Sequence, residues 1–148
     1  MNWPAKTLCY DERRRKRFDR TAIITKDTEF EYRKFRQGII LFNSGEFFKA
    51  HEVWEELWLV ATETDKLFLQ GMIQIAAAFH HYTRGNVNGT RSLLEAGSEK
   101  LGKFATEYRG TDLNALRGAT ERWIEALTRG EHATLGDFPR IEFADRSH

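Results

Sequence analysis

Residues 42–58 read FNSGEFFKAHEVWEELW, and the fold follows from how this stretch distributes its side chains. Asn43, Ser44 and Gly45 make a turn. Beyond it, at about 100° per residue, Phe47, Ala50, His51, Trp54, Trp58 and Ala61 fall on one stripe, while Lys49, Glu52 and Glu56 point the other way. A helix with that pattern buries the stripe, so His51 is expected among apolar neighbours. Glu55 lies one turn further on and is within reach of the imidazole.

Outward from this helix the chain keeps a helical period. Tyr32, Phe35, Ile39 and Phe42 follow a three, four, three spacing that predicts a helix from about Thr28 to Phe42, with Asp27 or Thr28 as its cap. Gly38 inside it costs stability relative to alanine and so points to a close helix crossing. On the other side, Ala61 to Thr64 is a polar connection, and Asp65 is the expected cap of a helix reaching Arg84. That helix is apolar nearly all round, through Phe68, Leu69, Met72, Ile73, Ile75 and Phe79, which places it centrally. One stripe differs, combining small and polar residues: Leu67, Gln70, Gly71, Gln74, Ala77, Ala78 and His81. If the two helices form a hairpin about residue 62, His51 stands beside Gln74 and Glu55 beside Gln70, a polar cluster roofed by Trp54 and Trp58.

Gly85 is the expected left-handed end of the central helix and Asn86 the cap of the next. Val87, Thr90, Leu94, Gly97, Leu101, Phe104 and Tyr108 carry the stripe of a fourth helix, whose glycines offer a homodimer contact. Asp112 caps a fifth, marked by Leu113, Leu116, Thr120, Trp123 and Leu127 and closed by Gly130. Residues 131–148 read as an extended strap that docks through Phe138, Ile141 and Phe143. Gly45 and Gly85 each stand three residues after an aromatic, Phe42 or Tyr82, and open a helix, an echo that suggests two stacked helical hairpins.

The fold class is therefore all-α: a compact bundle of about five helices in stacked antiparallel hairpins, residues 28–130, preceded by an arm, 1–27, and followed by the strap. A chain of 148 residues with 41% hydrophobic content can bury its own core, so one domain suffices. Cys9 is the one cysteine, which excludes an internal disulfide and a cysteine zinc cage and fits a reducing cytoplasm. The run Leu67 to Phe79 is too short and too polar to cross a membrane, so a soluble cytoplasmic protein is expected. A net charge of +1 gives no global pull toward nucleic acid. The basic run Arg13, Arg14, Arg15, Lys16 and Arg17 could touch phosphates, but no aromatic platform is interleaved with it, and a solvated arm is the expected reading.

Three segments together carry a family resemblance: FNSGEFFKAHEVWEELW, then FLQGMIQIAAAFHHYTRGN, then LLEAGSEKL. With the paired motifs AHExWE and LQGxIQ, the chain from about Phe35 to Leu101 resembles the bacterial and archaeal proteins grouped as domain of unknown function 309. The resemblance implies a compact all-α fold and no particular activity. Its recurrent polar residues match His51, Glu52, Glu55, Gln70, Gln74, His80 and His81.

Two chemistries compete for this cluster. As ligands or as an acid and base, His51 and Glu55 could serve a metal-assisted hydrolase, completed by His80 or His81 with Gln74. However, HEVWE lacks the second histidine of HExxH, and Phe48 stands where a di-iron bundle would place its glutamate. His80 and His81 are expected on nearly opposite sides of their helix. Alternatively, His51, Glu55, Gln70 and Gln74 satisfy one another and fix helix register, since an unpaired buried polar group costs about 1–3 kcal/mol. The expected function is then a non-catalytic binding or interaction module without a cofactor, its partner a protein, a small ligand or a second copy. Trp54, Trp58, Glu52 and His80 are candidates for lining a pocket.

Overall fold

The computed structural model describes residues 24–132 and 135–143, with side chains from Glu29 onward. The N-terminal arm, with Cys9 and Arg13 to Arg17, lies outside the described residues. Five helices are present among them: α1 (Ile24–Asn43), α2 (Phe47–Val60), α3 (Glu63–Thr83), α4 (Val87–Leu101) and α5 (Leu113–Arg129), with a small hairpin of β1 (Glu107–Tyr108) and β2 (Thr111–Asp112) before α5. The all-α bundle is as expected. Helix α3 lies between α2 and α4, α1 packs on α2, and α5 packs on α4. Residues 71–79 of α3 are buried without interruption, which is what an all-round apolar helix needs. No described helix is long and apolar enough to cross a membrane.

The echo between Gly45 and Gly85 is a repeated turn. Their φ angles are 84° and 83°. In each case the glycine N–H donates three residues back, to Phe42 or Tyr82, and the next N–H donates five back, to Leu41 at 2.8 Å or His81 at 2.9 Å. Both are Schellman ends, in which left-handed glycine lets the last carbonyls be satisfied. Asn86 and Asp112 cap α4 and α5 as expected, accepting from Gly89 N at 2.9 Å and Ala115 N at 3.0 Å.

Three expectations about element ends are corrected. Helix α1 starts at Ile24, so Asp27 and Thr28 lie inside it; a turn that precedes the apolar stripe has no period to reveal it. The cap of α3 is Thr62, whose hydroxyl accepts from Asp65 N at 3.3 Å, and this leaves the Asp65 carboxylate available elsewhere. Helix α4 stops at Leu101, and Phe104 and Tyr108 reach the core from the turn and from β1 instead. Their rings lie 5.7 and 4.8 Å from Phe68, since apolar burial fixes where a ring goes and not which backbone delivers it.

Close approach explains the interior glycines. A methyl on Gly38 would overlap the Trp54 indole, with Cδ1 at 2.6 Å, so α1 and α2 meet across bare backbone as expected. A methyl on Gly97 would sit 2.9 Å from the Gly71 carbonyl oxygen of α3. Gly89 faces the Asn86 cap, and Gly102, just past the end of α4, is exposed beside the Arg117 guanidinium.

The C-terminal strap is stitched in. The Asn43 side-chain amide bonds the Ile141 backbone both ways, donating at 3.0 Å and accepting at 2.8 Å. Asp112 N donates to Glu142 O at 2.9 Å, and Thr111 bridges Phe143. The Phe138 ring lies parallel to Trp123 at 5.5 Å and edge-on to Phe47 and Phe79. Phe143 stays partly exposed, with the Arg36 guanidinium 4.5 Å from its ring.

Candidate functional site

Two places hold chemically capable residues, and they differ in access. The first is the expected one. His51 and Glu55 are 2% and 9% exposed, with Nε2 to Oε2 at 3.3 Å, and His51 Nδ1 lies 3.2 Å from the Phe48 carbonyl. Both ring nitrogens thus face oxygens of their own helix. Gln74 is 3% exposed, yet its carbonyl oxygen has no hydrogen-bond partner among the described residues. The proton sharing expected between positions 51 and 74 does not reach that oxygen. Gln70 and His81 are half-buried.

The roof of this cluster is not as expected. Trp54 is fully buried on the α1 side, with Nε1 donating to Phe35 O at 3.2 Å and its ring against Phe35 and Phe42. It fills core and lines no opening, because the Gly38 backbone gives its indole a seat there. Trp58 is half-buried under Lys66, whose Nζ lies 4.5 Å over the ring, and Glu52 is exposed.

His80 and His81 are not opposed, and that expectation is corrected: their ring centroids are 6.1 Å apart. Adjacent helical residues diverge by only about 100°, and side-chain torsions close much of that gap. Phe48 lies 5.1 Å from both His51 and His80, which joins the three histidines into one end of the α2 and α3 pair. Burial holds His80 below the usual 6.5, helped by positive charge at His81, Arg84 and His51; His81 is lowered by burial, then Arg84 and His51. Among the described residues, no group of three or more His, Cys, Asp or Glu is placed to hold a metal ion.

The histidine end makes a prediction about acid. A group whose folded pKa is depressed binds fewer protons in the native state than in the unfolded chain, so its protonation favours unfolding. Stability should fall as pH drops below about 6.5 and level off under the lowered folded values. Thermal melts at pH 7.5 and 5.5 are expected to show a lower midpoint in acid, with a smaller difference in the His80→Gln, His81→Gln double variant. An equal acid loss in that variant would refute the assignment.

The second place was not visible in the sequence. A pocket of about 40 Å³ opens between α1, the end of α2, the start of α3 and the β-hairpin. Phe35, Leu57, Ala61, Phe68 and Leu69 give it apolar walls, and Glu31, Tyr32, Asp65 and Arg109 complete it. Arg109 and Gly110 are the two central residues of the hairpin turn, with φ 54° and 78°, the left-handed pair that a two-residue connection requires. Arg109 holds this conformation, unfavourable for a side-chain-bearing residue, while its guanidinium bonds and ion-pairs with Asp65 and lies 3.7 Å from Glu31. Tyr108 donates to the other Asp65 oxygen at 2.7 Å. Burial, then that hydrogen bond, pushes the Tyr108 hydroxyl up to about 12.

Comparison with known proteins places the two sites differently. The family model for a domain of unknown function (DUF309) matches residues 35–93. Over these residues the chain is similar to the DUF309 family. The matched segment runs from Phe35, where the resemblance begins, and contains the whole His51, Glu55 and Gln74 cluster. It also contains the apolar walls of the pocket and Asp65, whereas Glu31 and Arg109 stand outside the DUF309 segment on either side. An uncharacterised protein of Aquifex aeolicus (strain VF5) is 30% identical over 107 residues, covering 72% of this chain and 30% of that protein. The chain therefore spans less than a third of that relative's length.

Proposed function

We propose that the protein is a binding module whose ligand enters the pocket closed by Arg109, and that the buried histidine cluster is structural. The observation that supports this is the contrast in access. His51, Glu55 and Gln74 are sealed within the helix pair, while the pocket opens on apolar walls with a few converging polar groups, the usual make-up of a small-ligand site. The cluster's role on this reading is to fix how α2 and α3 register, and the reading invokes no cofactor. A metal-assisted hydrolase would need water and substrate to reach His51, for which the 2% exposure leaves little room.

The test is a ligand screen by thermal shift on wild type and on Ala61→Leu, a variant that fills the pocket from the α2 end. A ligand at about a hundred times its dissociation constant adds about 2.7 kcal/mol. Compounds that raise the wild-type midpoint and leave Ala61→Leu unmoved support the reading. Hits that act equally on both, or a hydrolytic activity lost on His51→Gln, would overturn it.

A further inference from the structure

The outer side of α1 carries an arginine that its neighbours hold in place. The Arg36 guanidinium lies 5.7 Å from the ring of Tyr32, one turn earlier, and 4.5 Å from the ring of Phe143 in the strap. Its Nη1 donates to the Tyr32 hydroxyl at 3.5 Å, and Phe143 is itself fixed by its bridge to Thr111. A side chain ordered from three segments has little freedom left to lose on binding. The bond to Tyr32 uses one N–H and leaves others for a planar acceptor.

No carboxylate among the described residues takes that place. Arg36 and the exposed Arg33, on the same side of α1, form no ion pair there, and the nearby Glu142 is engaged by Arg140 at 3.6 Å. Around the guanidinium, Tyr32, Ile40 and Phe143 are 57%, 56% and 38% exposed, and Ile40 follows Arg36 by one helical turn. Aromatic and arginine side chains in one patch are the usual anchors of a protein interface. We propose that this face docks a protein partner that presents a carboxylate between apolar side chains, with Arg36 as the anchor.

Charge selects this occupant over the alternatives. A second copy meeting the face symmetrically would set two arginine-bearing patches against each other. Residues 1–23 carry seven Lys or Arg against three Asp or Glu, so they share the sign of the face. A nucleic-acid strand calls for a row of cations, whereas here two arginines stand among exposed apolar groups.

NMR titration of the full chain with two blocked tripeptides, acetyl-Leu-Glu-Leu-amide and acetyl-Leu-Gln-Leu-amide, tests the proposal. The glutamate peptide is expected to shift the Arg36 Nε–H and Ile40 methyl signals with a dissociation constant on the order of 1 mM, and the glutamine peptide to bind about tenfold more weakly. Arg36→Gln should erase that difference while its amide spectrum stays that of the folded protein. Ile40→Glu, which sets a carboxylate one turn from Arg36, should block the glutamate peptide too. Raising salt should weaken the glutamate peptide alone. Ala61→Leu, which fills the pocket, should leave the glutamate peptide's binding unchanged, so this face and the pocket stand or fall separately. Equal binding of the two peptides, silence from both, or a preference that survives Arg36→Gln overturns the proposal. So does tighter binding of a ten-residue oligothymidylate at these signals, or their movement with protein concentration alone, which would assign the face to nucleic acid or to a second copy.

Discussion

Phe79→Ala is expected to lower stability by about 4 kcal/mol, within the range for removing a buried phenylalanine. Phe79 is fully buried, and its ring centroid lies 5.1 Å from Trp123, 5.3 Å from Phe138, 5.6 Å from Phe47 and 6.2 Å from Phe42. Those rings come from α1, α2, α5 and the strap, so one truncation opens a void that four elements share. No neighbour collapses into it without leaving its own seat, which is the condition for the upper part of the range. For a chain of this size the loss corresponds to roughly 8–16 °C in midpoint. Limited proteolysis should also cut the strap near Phe138 faster than in wild type. Phe48→Ala, at a residue 47% exposed, is the control and should cost far less. A loss under about 1 kcal/mol for Phe79→Ala would mean that the aromatic cage is not where the stability resides.

The second large effect pairs one substitution at two glycines. Alanine is favoured over glycine in a helix interior by about 1 kcal/mol. At Gly118 the added methyl meets only the Arg122 Nη1 atom at 3.8 Å, so Gly118→Ala should stabilise by up to about that amount. At Gly38 it would overlap the Trp54 indole, which is fully buried and anchored by its hydrogen bond to Phe35 O. To make room, the indole has to rotate and give up that bond, or α1 has to lift from α2. Overpacking of this kind costs about 1–3 kcal/mol, and a lost buried hydrogen bond about 1 more. Gly38→Ala is therefore expected to destabilise by about 2–3 kcal/mol despite its better helix propensity. Urea denaturation of both variants checks the opposite signs. If Gly38→Ala also stabilises, the close crossing of α1 and α2 is wrong.

These two predictions rest on features that differ in how far the sequence announced them. Gly38 was conspicuous, because a helix interior rarely keeps glycine without a steric reason. The role of Phe79 as the meeting point of four rings was not, because the spacing shows only that α3 is apolar all round. The same division runs through the candidate site. His51 and Glu55 are one turn apart on a single helix, so the period alone brings them together, and 3.3 Å between them follows. Their relation to Gln70 and Gln74 depends on how two helices rotate about their axes, which a period does not specify. Gln74 is accordingly buried as expected, while its oxygen is not bonded as expected.

What the sequence determined by itself is local: helices with an apolar stripe, turns at Gly45 and Gly85 where a left-handed residue is required, side-chain caps at Asn86 and Asp112, and a strap with rings to bury. Each depends on residues within about one turn of one another, where backbone geometry leaves few choices. Only the tertiary structure decided that α4 gives way to a hairpin and that Trp54 faces α1. It alone joined Asp65 to Arg109, 44 residues later, at the mouth of a pocket. Contacts of that range are set by the packing of whole elements, and burial drives packing without direction, so a one-dimensional pattern carries the need for a partner but not its identity.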